Sequence, residues 1–194
     1  MKLTVKHQEE YSRGELLLRS FFGAFYIALP HGFLLFFMSI WSAILQFVAF
    51  WIVLFTGKYP QSMFEFQVGL MKWNLRVTAR LYNLADGYPA FGIGGADEHT
   101  DLQVEYPEKI SRGLVIVRAL FGLFYVMLPH MFILIFYSIW CQILIFVAWW
   151  IVLFTGKFPE SMHETIVGLI RWQTRINLYM GYMTDAYPPF SGKE

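Results

Sequence analysis

Among the residues from which a reactive centre could be built, His31 and His130 stand out, because each follows a proline inside a long apolar run. An ionisable side chain at membrane depth is a functional-site hypothesis by default. Two repeat-related histidines could meet to hold a metal or relay a proton. With no carboxylate or third ligand in either run, the plainer alternative is that each imidazole caps the helix after its proline or hydrogen-bonds at an interface. His7, His99 and His163 show no ligand spacing such as H-E-x-x-H. Asp86 and Asp185 precede Tyr-Pro and read as turn or cap residues. A nucleophile elbow, a P-loop and a pair of acidic catalytic groups are all missing. The expectation is therefore no catalytic residue, no cofactor, no metal and no enzyme. Cys141, the one cysteine, excludes an internal disulfide.

Composition directs attention to a membrane. Of the 194 residues 57% are hydrophobic, 20% aromatic and 15% charged, against about 25% charged in an ordinary soluble domain. Fifteen Lys+Arg against fourteen Asp+Glu leave a net charge of +1, which removes a global electrostatic case for nucleic acid. From Leu16 to Thr56 the only formal charge is Arg19, and from Leu114 to Thr155 it is Arg118. Each run is about twice the ~20 residues that cross a bilayer as a helix. One straight helix of that length would measure about 60 Å against a hydrocarbon core of about 30 Å. The expectation is that each run folds back as a helical hairpin, turning at Pro30-His31 or near Ser39 to Ser42, or enters one leaflet as a wedge.

The sequence is one unit written twice. A shift of 99 positions superimposes Pro30-His31 on Pro129-His130 and Trp51-Ile-Val-Leu-Phe-Thr-Gly-Lys58 on Trp150-Ile-Val-Leu-Phe-Thr-Gly-Lys157. It also superimposes Asp86-x-Tyr88-Pro89-x-Phe91 on Asp185-x-Tyr187-Pro188-x-Phe190. Roughly 40 of about 73 positions agree without a gap. Residues 1–91 form the first repeat, with a membrane hairpin over about 15–57 and an amphipathic helix over about 62–86. Residues 92–101 are a Gly-rich polar linker. Residues 102–194 form the second repeat, with a hairpin over about 114–156 and an amphipathic helix over about 161–185. Short strands open the repeats at Leu3–His7 and Leu102–Tyr106, Ser12 and Ser111 are helix N-caps, and Gly57 and Gly156 followed by Pro60 and Pro159 are helix stops. The fold class expected is an all-α membrane protein of two tandem repeats, each a helical hairpin, an interfacial amphipathic helix and a short N-terminal strand.

Both copies keep their cations, so both should share one orientation with the termini cytoplasmic. The residues expected to touch lipid or a partner are Arg19, His31, Lys58, Trp73 and Arg76, with their counterparts Arg118, His130, Lys157, Trp172 and Arg175. Arg19 and Arg118 can snorkel to phosphate from near the helix starts, and Trp73 and Arg76 lie on an amphipathic helix suited to the headgroup plane.

The order of strand, Ser-Arg-Gly, apolar run with Pro-His, Phe-Thr-Gly-Lys-[Tyr/Phe]-Pro, [Lys/Arg]-Trp-x-x-Arg and Asp-x-Tyr-Pro-x-Phe resembles the bacterial membrane family called domain of unknown function 4389. The resemblance runs once per copy, from about Leu3 to Phe91 and Leu102 to Phe190, with Ala90 departing from the Pro-Pro form kept by Pro188-Pro189. It implies a bacterial inner-membrane protein and brings no activity, catalytic residue or cofactor. The function expected is a non-catalytic accessory or scaffold subunit of a larger membrane complex, with membrane lipids and other membrane subunits as partners. The alternatives are a component of a lipid or small-molecule transporter and a membrane-shaping hairpin protein.

Overall fold

In the computed structural model, which describes residues 1–194, neither apolar run folds back. Each is one uninterrupted helix of 44 residues, α1 over Arg13–Thr56 and α3 over Arg112–Thr155. Both are long and apolar enough to cross a membrane. The remaining elements are strand β1 (Lys2–Val5), helix α2 (Gln61–Leu81), strand β2 (Thr100–Gln103) and helix α4 (Glu160–Met180). The helical hairpin is thus replaced by a single long helix with a shorter helix packed against it.

The physical reason lies at the prolines. A proline in a helix removes one N–H and strands a carbonyl one turn earlier. Here a π-helical turn precedes each of them, Ala24–Ala28 before Pro30 and Leu123–Met127 before Pro129. The Tyr26 carbonyl accepts a hydrogen bond from the Tyr88 hydroxyl at 2.9 Å, and the Tyr125 carbonyl accepts one from Tyr187 at 2.9 Å. With the stranded acceptor satisfied from outside, the helix continues. At the other proposed turn, the Ser39 hydroxyl donates back to the Phe36 carbonyl at 2.7 Å and the helix runs on.

The π turn also keeps one face aligned. Arg19, Gly23, Ile27 and His31 are all buried at strict four-residue steps. In an unbroken α-helix those three steps would drift by about 120°, and the wide turn absorbs one residue, or about 100°, of that drift. Opposite this stripe, Phe21, Phe25, Leu29, Phe33, Phe36, Ile40, Phe47 and Phe55 are exposed. Of the 43 large exposed apolar side chains, 36 lie on α1 and α3.

The ends of the long helices follow their local signals. Ser12 and Ser111 cap the starts through Glu15 and Leu114 N–H groups. Gly57 and Gly156, both at φ 73°, close the ends in the left-handed conformation that only glycine adopts without cost. These termini then exchange partners between copies. The Tyr11 N–H donates to the Gly156 carbonyl at 2.8 Å, and the Ile110 N–H to the Gly57 carbonyl at 2.8 Å. Trp149 Nε1 donates to the Ser20 hydroxyl at 2.7 Å. The start of each long helix therefore lies antiparallel to the end of the other.

β1 and β2 pair antiparallel across the copies, from Lys2 opposite Gln103 to Val5 opposite Thr100. Leu3 and Leu102 face each other in this ladder and are fully buried, joined by Leu75, Ala79, Leu84, Val152 and Ile166 in a core shared by both halves. The two shorter helices are the interior of the molecule. On α2 only Gln61, Ser62, Glu65, Asn74 and Leu81 are exposed, which corrects the expectation of a helix lying free in a headgroup plane. Its apolar stripe packs on α1, and its basic side is covered by the segment read as a linker. Arg76 donates to the carbonyls of Ala90, Gly92 and Gly95, and Arg80 pairs with Asp97. A Cβ on Gly69 would stand 2.9 Å from Ile93 Cβ, so this helix and the 92–101 segment approach as closely as glycine allows.

One buried group makes stability depend on pH. His163 occupies the place of Phe64 of the first copy, buried against His7 and Phe158, with its Nε2 at 3.2 Å from the Leu84 carbonyl. Burial holds its pKa below the ordinary 6.5, helped by His7 and opposed by the Leu84 carbonyl, Glu164 and Glu160. A histidine depressed in the folded state contributes stability above its unfolded pKa and loses it as pH falls through that value. Melting temperature should therefore drop from pH 7.5 to 5.5, and the drop should shrink in His163→Phe. An unchanged slope in that variant would remove His163 as its source.

Candidate functional site

Two equivalent cages, one per copy, gather four of the residues singled out by the sequence, His31 with Trp73 and His130 with Trp172. In the first, Trp73 Nε1–H donates to His31 Nδ1 at 2.8 Å, Phe91 stacks on the imidazole at 3.9 Å and 5°, and Tyr88 tilts over it at 5.4 Å. In the second, Trp172 donates to His130 at 2.9 Å, Phe190 stacks at 4.0 Å and 6°, and Tyr187 lies at 5.5 Å. Because Trp can only donate, each Nδ1 must accept, which fixes the neutral tautomer with its proton on Nε2. Both Nε2 atoms are buried without a partner. The histidines do not meet. Each is enclosed by rings of its own repeat, and no group of three His, Cys, Asp or Glu side chains is placed to hold a metal ion.

The Asp-x-Tyr-Pro-x-Phe motif builds these cages in order along the long helix. Asp86 accepts from Arg19 at 2.8 Å and from the Ser12 N–H at 2.7 Å. Two residues on, Tyr88 reaches the Tyr26 carbonyl, and three further on Phe91 covers His31. In the second copy Asp185 accepts from Arg118 at 2.6 Å and the Ser111 N–H at 2.7 Å. The expectation that these aspartates are turn and cap residues captured half of their role. They are also the counter-ions of the only charges in the apolar runs.

Arg19 and Arg118 are accordingly not snorkelling. Arg19 is buried and held by Asp86, Glu15 and Asn83. Arg118 is 1% exposed and bonds Asp185 and the carbonyls of Leu114, Tyr179 and Thr184, with its guanidinium 4.5 Å from the centre of the Tyr179 ring. A charge this enclosed persists because each guanidinium nitrogen has a hydrogen-bond partner and a carboxylate balances it. Asn83, which accepts from Arg19 Nε, holds φ 57° at the helix end. Lys58 and Lys157 remain exposed beside the glycine caps.

Sequence reasoning missed the partnership of Ser42 and Gln67. The Ser42 hydroxyl donates to Gln67 Oε1 at 2.6 Å, and Gln67 Nε2 donates back to the Ser42 carbonyl at 3.0 Å. The signal was present, since Ser42 and Gln67 change together to Cys141 and Ile166 in the second copy.

Arg76 and Arg175 differ despite their identity. Burial lowers the pKa of both. Arg76 spends its donors on three carbonyls, whereas Arg175 bonds only the Ser191 carbonyl, at 3.1 Å. Asp97, facing Arg80, would be raised by burial, but hydrogen bonds from Arg80 and Thr100 win and hold it below the usual carboxylate value.

The proline repair gives a direct test. Tyr88→Phe keeps the ring on His31 and strands the Tyr26 carbonyl, at a cost of about 1–3 kcal/mol. Tyr187→Phe should cost the same, and the double variant their sum, because the sites share no partner. Equal melting temperatures in wild type and double variant would show that the hydroxyls do not sustain the helices.

The arrangement is a clamp that binds the first part of an apolar helix, from Arg19 to His31, to a polar segment. A family model described as domain of unknown function (DUF4389) matches residues 18–92 and again 115–192. No curated protein and no solved structure matches the chain.

Proposed function

The chain belongs to the DUF4389 family, carrying its domain twice, and from that premise we propose that it is a non-catalytic inner-membrane scaffold lying in one leaflet. Its long helices rest flat in the lipid surface, and the layer built on them faces the cytoplasm, with both termini, to receive other membrane subunits. The observation that carries this reading is the course of residues 86–93. That irregular, polar-backboned segment touches α1 at Arg19, Tyr26 and His31 in turn and then reaches Gly69. Irregular backbone and the charges beyond it are not tolerated against lipid in a hydrocarbon core. A helix with such a flank along one side and aromatic side chains along the other is suited to lie at the interface, apolar face down. The low burial of the apolar windows, 6% in α1 and 17% in α3, weighs against a soluble core helix.

Depth measurements test the orientation. In single-tryptophan variants retaining Trp41 or Trp51, quenching by brominated lipids should give the same shallow depth. A crossing helix would separate the two by about 15 Å along the membrane normal. Mild detergent extraction tests the role, with co-purification at fixed stoichiometry as the supporting result and a lone monomer under every gentle condition as the opposing one.

Membrane shaping is a second reading, favoured by the 36 exposed apolar side chains on the two long helices. Inserted into one leaflet they would spread it, and tubulation of vesicles by purified protein would report it. The transporter reading loses its motive, since each histidine is sealed in its own cage.

A further inference from the structure

The crosswise hydrogen bonds from Tyr11 to Gly156 and from Ile110 to Gly57 create two corresponding corners, each where the end of one long helix meets the start of the other. Their apolar parts match, with Trp51 and Phe55 exposed at the first and Trp150 and Phe154 at the second. Their charges do not. At the first corner, residues 58–61 and 108–112 carry Lys58, Lys109 and Arg112 against Glu108 alone. At the second, residues 157–160 and 9–13 carry Lys157 and Arg13 against Glu9, Glu10 and Glu160. Two exchanges account for the reversal, Lys109 in the place of Glu10 and Gln61 in the place of Glu160. The three cations of the first corner converge on Gly57. Arg112 Nε and Lys109 Cγ lie 3.5 and 3.9 Å from where a Cβ on that glycine would stand, and Lys58 follows it in the chain. All three are exposed, and none of them is in an ion pair. The Gly57 carbonyl at the helix end is already taken by the Ile110 N–H, so these cations are not spent on satisfying it.

We infer that the first corner is a binding site for an anionic glycerophospholipid, its phosphate held by Lys58, Lys109 and Arg112 and its acyl chains laid along Phe55 and Trp51. An arginine offers phosphate a planar fork of donors, and a lysine a point charge. The cations stand directly beside the exposed aromatic face, so the occupant that fits is anionic at one end and apolar at the other. That favours a lipid over a free phosphate. It also favours a lipid over the acidic corner of a second copy, whose own aromatic flank is turned to lipid. The second corner has the same aromatic flank and lacks the charge balance, so the two ends should differ in the headgroup they hold. The inference rests on the leaflet-embedded reading only for placing this corner at headgroup depth.

Native mass spectrometry of the full chain released from detergent micelles counts the lipids it holds. Titrated with phosphatidylglycerol, the wild type should keep one lipid, and it should lose phosphatidylcholine of the same chains at the same concentration. Lys109→Glu should weaken retention about tenfold. Glu10→Lys combined with Glu160→Gln copies the first corner onto the second and should raise the count to two. Equal retention of the two lipids, unchanged retention in Lys109→Glu, or a double variant that still holds a single lipid would each overturn the assignment. Displacement by inorganic phosphate at the lipid's own concentration would show that the chains contribute nothing; it would reassign the corner to a free anion and overturn the lipid. A dimer that needs no lipid and is lost in Lys109→Glu would assign the corner to a second copy and also overturn it. Retention in micelles is independent of the tryptophan depths in vesicles, so either result can fail without the other.

Discussion

Asp185→Ala should be the most damaging single substitution in the molecule, lowering stability by about 3 kcal/mol or more. Arg118 is fully buried, and Asp185 is its only carboxylate. Removing that carboxylate leaves a full charge surrounded by neutral carbonyls, and frees the Ser111 N–H at the helix start as well. The equivalent Asp86→Ala should cost about half as much, because Arg19 keeps Glu15 at 2.8 Å and Asn83 at 2.9 Å. Breaking a buried pair is destabilising in proportion to how completely the remaining charge loses its compensation. Thermal melting in a single detergent measures both variants. A loss below about 1 kcal/mol for Asp185→Ala would mean that Arg118 does not depend on Asp185 for its burial, and equal losses for the two aspartates would mean that Glu15 and Asn83 do not compensate Arg19.

The second large effect is expected from deleting Phe25, an exposed residue inside the first π turn. A shortened turn would relax to ordinary α geometry, and everything N-terminal to it would rotate by about 100° relative to the rest. Arg19 would swing away from Asp86 and Asn83 toward the apolar exposed face, and the Tyr26–Tyr88 bond would lose its register. The cost should match or exceed that of breaking a buried ion pair, about 3–5 kcal/mol. Replacing Phe25 by Leu, which keeps the length, should cost under about 1 kcal/mol at so exposed a position. Comparable melting of the two variants would mean that the wide turn does not set the phase of the helix.

Much of this was readable from residue order. The serine caps and the Gly-Lys-x-Pro stops appear where local chemistry puts them, and the two short strands overlap the expected segments but begin one and two residues earlier and end before the charged residues Lys6 and Glu105. What local chemistry could not reveal is how Pro30 is tolerated, because its remedy is the Tyr88 hydroxyl, 62 residues downstream of the Tyr26 carbonyl that it satisfies. The fold-back expectation followed from that gap, combined with the assumption that a long apolar run must cross. Arg19 read as a phosphate ligand for the same reason, its true partner lying 67 residues away. One clue to continuity was available in both copies. Arg19, Gly23, Ile27 and His31, and likewise Arg118, Gly122, Val126 and His130, recur every four residues. That spacing is too wide for a plain α-helix and fits one containing a π turn.

The crosswise stapling of Tyr11 to Gly156 and Ile110 to Gly57 has a temporal side. While the ribosome is still making the second copy, the first possesses an unfinished helix terminus at each end and half of a shared interior. Folding of the early half must wait for the late half, so long-range closure sets the pace of maturation. Either half made alone would resemble an unassembled subunit more than a domain, and the two made as separate chains should find each other and complete the fold.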